Sequence, residues 1–224
     1  MRIVGVLLAA GSGSRFGGDK LRHPIATFAD PGARLTAAMD GDRPLAGEGW
    51  GEGAGDGTFA RPAARAIPLG VVACRNLVSA LPDTIAVVRP DDTTLAALLR
   101  GAGARVIECA EAASGMGHSI ACAIAATRAA DGWVIALADM PWVRVSTIAA
   151  VAEALRRGAP IVAPRCNGRR GNPVGFASVY RDALAGLAGD RGARDLIAAA
   201  GPDMRIVDVD DEGVLRDVDV SADL

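Results

Sequence analysis

The stretch VLLAAGSGSRFGGDK, residues 6–20, passes from an apolar run into glycines at 11, 13 and 17, with Arg15 and Lys20 beside them. Glycine lets backbone amides approach an anion closely, and the two cations add charge to it. Of the 24 basic residues of the chain, Lys20 is the single lysine. A compact ammonium suits a phosphate better than it suits a surface that otherwise uses arginine throughout. The chemistry implied is the holding of a phosphate, with or without a reaction beside it.

Two familiar phosphate loops can be set against this stretch. A Walker A loop needs a hydroxyl directly after its lysine. Here Leu21 follows Lys20 and Asp19 precedes it, which excludes that loop. A dinucleotide loop of the form G-x-G-x-x-G is met at Gly11 and Gly13, but Phe16 stands in the third position and Gly17 comes one residue late. The acidic residue that such a site needs after a second strand is also missing. Asp30-Pro31-Gly32 has no strand before it, and the next strand-like run ends in Arg89. An NADP-binding oxidoreductase therefore stays only as a rival reading.

The elements that would position these residues are short, continuous apolar runs alternating with helical patterns. Residues 3–9, 84–88, 104–108, 133–138 and 160–164 read as strands covered on both faces, as in a mostly parallel sheet. Residues 70–81, 91–100, 116–129, 146–157, 178–188 and 191–200 read as helices. Asp91-Asp92-Thr93 offers a cap to the second, and Arg156-Arg157-Gly158 a stop to the fourth. Two short strands around Asp211-Glu212-Gly213 are expected near the end. The alternation predicts an α/β, three-layer α/β/α architecture. Ligands of such folds lie beyond the carboxyl ends of the strands. That rule selects 10–20, Arg89 and Pro90, 108–117, Asp139, and 165–172.

Residues 23–66 break the alternation. Their stretch DGDRPLAGEGWGEGAGDG is rich in glycine and acid, and reads as a surface insertion, or as a flap over the site, within one domain spanning 1–224. The formal net charge of -2 argues against a nucleic-acid binder. No apolar run reaches the length of a membrane span, and no signal peptide opens the chain, so a soluble cytoplasmic protein is expected. Cys74, Cys109, Cys122 and Cys166 form no C-x-x-C pair and read as reduced core cysteines.

The pattern L-A-A-G-x-G-x-R-F-G-x-x-K resembles the signature loop of the MobA-like nucleotidyltransferase superfamily. The resemblance continues along the chain. GMGHSIACAI (115–124) is similar to the family's Gly-Met-Ser-x-Ser helix start, and LADMP (137–141) to its Asp-x-Pro metal motif. GRRGNPVGF (168–176) is similar to a Gly-His-Pro-Val segment. GDRGARDLI (189–197) is similar to Gly-Asp-x-Gly-Ala-Arg, and RDVDVSADL (216–224) to a closing Asp-[IV]-Asp-Thr-Pro-x-Asp. Everything except 23–66 is covered. Within the superfamily the chain is most similar to molybdenum cofactor cytidylyltransferases.

The resemblance implies a Rossmann-like, glycosyltransferase-A-type nucleotidyltransferase fold. It implies transfer of CMP from CTP to molybdopterin with Mg2+ as cofactor, and leaves room for a molybdoenzyme or chaperone as partner. Leu8, Ala9, Ala10, Gly11, Gly13 and Ser14 would bind the nucleotide together with Gly115, Met116 and Ser119. Arg15 and Lys20 would grip the β- and γ-phosphates and act with Asp139 in catalysis. Asp139 and Asp219 would hold the metal, with Asp217 a less close match. Arg169, Gly171, Asn172 and Pro173 would meet the acceptor. Ala9-Ala10-Gly11, where the guanylyl branch carries Ala-Gly-Gly, points to CTP. The chain departs from the family at His118 and Asn172, which replace a serine and a histidine, and at VSAD near the end. These changes lie on the acceptor side, so a relative that uses GTP or a sugar-phosphate acceptor, or a non-catalytic partner that kept the fold, are the other readings.

Overall fold

The computed structural model describes residues 1–11, 20–27 and 65–219. The chain divides into two compact units, Met1–Ile25 with Ile67–Leu224, and Ala26–Ala66. The strands are β1 (Ile3–Leu8), β2 (Pro24–Thr27), β3 (Arg65–Pro68), β4 (Thr84–Val88), β5 (Arg105–Glu108), β6 (Gly132–Leu137), β7 (Ile161–Cys166), β8 (Arg169–Arg170), β9 (Val174–Ala177) and β10 (Met204–Asp208). The α-helices are α1 (Leu69–Ala80), α2 (Thr93–Gly101), α3 (Met116–Ala126), α4 (Val145–Arg156), α5 (Arg181–Ala185) and α6 (Arg194–Ala200).

The main sheet runs β10-β7-β9-β6-β1-β4-β5, with β8 beside β7. β1 lies parallel to both β4 and β6, so Leu8 stands opposite Val87 on one side and Leu137 on the other. Only β8 and β9 run against the rest of this sheet. The α/β, mostly parallel reading holds.

Every residue of β1 is buried, and its side chains alternate between two cores. Ile3, Leu7 and Ala9 pack in one with Leu77, Leu81, Val151 and Leu155 of the α1 and α4 side. Val4, Val6, Leu8 and Ala10 pack in the other with Ile120, Ile124, Trp133 and Phe176. This is why the strand reads as an unbroken apolar run: a central strand has no wet face. Each fully buried side chain such as Leu7 contributes about 2 kcal/mol. Gly5 sets the spacing of α1, because a Cβ there would fall 2.5 Å from Thr84 Oγ1 and 3.1 Å from Leu77 Cγ.

Several expectations need correction. The helix expected at 178–188 is a 3-10 turn, Ser178–Tyr180, followed by the short α5. The pair of strands expected around 211–213 does not form. β10 instead joins the sheet edge parallel to β7, and the chain continues as a 3-10 turn, Glu212–Leu215. The cause is Asp211, which is buried and takes the Gly213 amide at 3.1 Å, a local bond that competes with a hairpin. Asp211 Oδ2 also accepts from Arg144 N and Thr147 Oγ1, capping the start of α4 from a distant part of the chain. The 23–66 stretch is not without regular structure at its ends, since β2 and β3 pair as a two-stranded sheet. Its stretch 28–64 lies outside the described residues.

All four cysteines are free thiols. Burial pushes the Cys74 thiol up to about 11. Burial, with Cys109 alongside, pushes Cys122 up to about 12.

Candidate functional site

A cleft of about 370 Å³ opens beyond the carboxyl ends of β1, β4 and β6. Its floor is the backbone that leaves β1. Ala9 N donates to Val87 O and Ala138 N to Leu8 O, so the parallel ladder carries Ala9 and Ala138 past the strand ends. Leu8, Ala9, Ala10 and Gly11 line the floor. Gly13, Ser14 and Arg15, expected to continue it, lie outside the described residues.

One wall is the 3-10 turn Lys20–Arg22. Leu21 anchors it on Gly70, where a Cβ would come 3.2 Å from Leu21 O. Lys20 Nζ reaches Asp139 Oδ2 at 2.9 Å and Asp219 Oδ1 at 3.5 Å. The Lys20 side chain is only 11% exposed. The other oxygen of Asp139, Oδ1, is buried and accepts no hydrogen bond among the described residues. A buried carboxylate oxygen left in this state is costly unless something binds it.

The tail brings Asp219 to this place. Val218 is fully buried with Leu69 and Ile25, and its amide donates to Asp139 O at 3.0 Å. The Arg216 guanidinium lies 4.2 Å over the Trp142 ring. Asp217 and Asp219 are both exposed on either side of Val218, outside any helix or strand. Of the two, Asp219 is the one that reaches Lys20, Oδ1 to Nζ at 3.5 Å.

The opposite wall joins two motifs that lie far apart in sequence. Gly115 has a φ of 126°, and a Cβ there would sit 2.3 Å from Gly189 C. Gly117 N donates to Gly189 O at 2.8 Å, and His118 Nδ1 accepts from Gly189 N at 3.3 Å. GMGHS and GDRGAR thus form one backbone-to-backbone unit at the start of α3. His118 is half-buried and helps to bind the two segments together. Met116, Ser119 and Asp190 line the cleft from this unit.

Arg22 and Asp92 also border the cleft and were not among the expected site residues, while Arg89 and Asp190 border it from segments that the sequence had singled out. Arg22 Nη1 lies 4.0 Å from Asp92 Oδ1, which also caps α2 by accepting from Leu95 N. The carboxyl end of β4 pointed to Arg89, but nothing local marks Arg22 or Asp92 as cleft residues.

The expected acceptor residues are placed elsewhere. Arg169 and Arg170 are exposed on β8. Gly171 packs under Val214, where a Cβ would come 2.2 Å from Val214 O, and Asn172 N donates to that same carbonyl. Asn172 and Pro173, joined by a cis peptide bond, border a small hollow next to Met140 and Asn76. None of Arg169, Gly171, Asn172 and Pro173 lines the 370 Å³ cleft.

Among the described residues no three His, Cys, Asp or Glu side chains gather as a metal-binding group. The two carboxylates at Lys20 are the oxygen donors at hand, and such a pair, completed by phosphate oxygens, fits a hard divalent cation. None of the described helices is long and apolar enough to cross a membrane.

Residues 63–204 match the model of the MobA-like NTP transferase domain. No curated protein sequence matches the chain. Among solved structures, Rv0371c from Mycobacterium tuberculosis H37Rv is similar with a TM-score of 0.71 and 22% identity, over 100% of this chain and 95% of that one. A second structure, described as the manganese complex of that protein, has a TM-score of 0.64 and 19% identity, over 93% and 89%. A nucleotidyl transferase from Methanothermobacter gives 0.68 and 19%, over 99% and 94%. A molybdopterin-guanine dinucleotide biosynthesis protein A from Archaeoglobus fulgidus gives 0.56 and 14%, over 98% and 94%. At these identities the likeness to solved structures concerns the fold.

Proposed function

This chain belongs to the MobA-like NTP transferase domain family, and from that premise we propose that it is a magnesium-dependent cytidylyltransferase. It moves CMP from CTP to the terminal phosphate of molybdopterin, and pyrophosphate leaves. It works in the cytoplasm as one nucleotidyltransferase domain carrying 23–66 as an insertion.

The observation that carries this reading is the cluster of Lys20, Asp139 and Asp219 at the carboxyl end of β6, beside the glycine-bearing exit of β1. Nucleotidyl transfer asks a protein mostly for positioning and charge. Asp139 and Asp219 would hold the divalent cation, and the unpartnered Asp139 Oδ1 is the atom that supports this. A bound divalent cation would offset charge on the α-phosphate and on the leaving pyrophosphate. Lys20, with Arg15, would bind the β- and γ-phosphates. The backbone of Ala9 and Ala10 would face the base, and the methyl of Ala10 favours the smaller pyrimidine. Ser119 and Asp190, which line the cleft, would meet a ribose hydroxyl. The choice of CTP and of molybdopterin rests on the sequence resemblance.

Thermal melts with CTP, GTP, ATP, UTP and NADP, each with and without Mg2+, test the reading. A ligand of the native state raises the melting temperature by mass action. A magnesium-dependent rise largest for CTP is expected, followed by pyrophosphate release once molybdopterin is added. A rise with NADP alone, indifferent to Mg2+, would overturn it.

A further inference from the structure

The proposed reading gives Lys20 to the triphosphate and Asp139 with Asp219 to a cation, yet in the structure Lys20 is in contact with both carboxylates. The Lys20 ammonium lies 2.9 Å from Asp139 and 3.5 Å from Asp219, on a side chain that is only 11% exposed. It stands between the two carboxylates that would hold a divalent cation.

We propose that Lys20 is a resident cation of the nucleotide-free site, so that binding of the divalent cation is conditional on a triphosphate that draws Lys20 away. This rests on the site being a nucleotidyltransferase site, and on neither the base nor the acceptor.

The charges carry the argument. Two carboxylates and one ammonium leave the cluster with a single net negative charge. A divalent cation that joined them without displacing Lys20 would lie a few ångströms from the ammonium, in a half-buried place where repulsion is poorly screened. A triphosphate changes the balance. It supplies oxygens for Lys20, frees both carboxylates, and adds ligands for the cation. The coupling is reciprocal by necessity, so the cation also tightens the nucleotide. The state of Asp139 agrees. One oxygen is held by Lys20 while the other is buried without a hydrogen bond, which leaves half of the carboxylate waiting for a ligand.

The proposal predicts opposite signs for one substitution. Lys20→Met should weaken nucleotide binding and strengthen binding of the bare cation. A lysine that only held the fold together would do neither in this combination. The test is Mn2+ affinity of the full chain without nucleotide, read from the loss of the free-ion paramagnetic resonance signal. Lys20→Met is expected to bind Mn2+ about tenfold tighter than the wild type. Lys20→Arg, which keeps the charge, should stay near the wild type, and Asp139→Asn should abolish the gain when added to Lys20→Met. Should Lys20→Met fail to fold, Lys20→Gln carries the same expectation. Equal or weaker Mn2+ binding in the folded charge-removing variant overturns the proposal, whatever the nucleotide result. CTP binding by the wild type with Mg2+, followed by calorimetry, judges the proposed function separately.

Discussion

The amide of Val218 donates to the carbonyl of Asp139 at 3.0 Å, which ties the end of the described chain to the strand end that carries the site. Val218 is completely buried, so the exposed carboxylate of Asp219 is held by an apolar neighbour rather than by its own contacts alone. Val218→Ala is expected to cost about 2 kcal/mol of stability, measured by urea unfolding. It should also weaken Mn2+ binding in the presence of CTP, although no carboxylate has been touched.

Asp139→Ala should reduce pyrophosphate release roughly a hundredfold or more. Folding should survive, because Lys20 keeps Asp219 at 3.5 Å and the buried Oδ1 without a hydrogen bond is removed with the side chain. Normal turnover in this variant would sink the metal assignment.

Gly115→Ala meets two obstacles together. The backbone φ of 126° disfavours any side chain, and the new Cβ would collide with Gly189. The loop that carries Asp190 must then move away from α3. A loss of about 3 kcal/mol or more in denaturant unfolding is expected, together with weaker nucleotide binding in calorimetry.

Asp211 lies outside the cleft, yet its loss should be felt. Asp211→Ala strands the Arg144 and Gly213 amides and the Thr147 hydroxyl, all of which donate to it. The expected cost is about 2–4 kcal/mol, seen as a lower urea midpoint with unchanged slope.

The buried thiols set an alkaline limit. An unfolded cysteine here has a reference value of 9.0, while burial first of all lifts Cys74 to about 11 and Cys122 to about 12. Below pH 9 both states keep their protons and no stability is lost. Above it the unfolded chain ionises first, so stability falls as the pH rises from 9 through 11. Urea melts at pH 8 and pH 10.5 should show the decline, and Cys74→Ala should flatten it.

The parallel strands of the main sheet and most of the helices were legible because their signals are local. β4 was expected over the residues it occupies, and α1 and α4 were displaced by one residue, since apolar runs and periodicity report burial directly. β9 was missed as a strand. It is four residues long, contains Gly175, and sits between two strands that arrive from elsewhere in the chain. The tail was misread for a related reason. Its alternating pattern suits a strand, but Asp211 finds partners on α4 that no neighbouring residue announces.

By itself the sequence determined the layered α/β architecture, and it singled out Lys20 and Asp139, which the structure brings together. These follow from side-chain period and from short motifs, which act over a few residues. Only the tertiary structure decided that Lys20 rests between Asp139 and Asp219, and that Arg22 and Asp92 border the same cleft. It also separated 169–173 from that cleft. Which polar side chains meet depends on strand order, on the crossing of distant loops and on where the tail is pinned. Those are properties of packing between segments, and no local pattern encodes them.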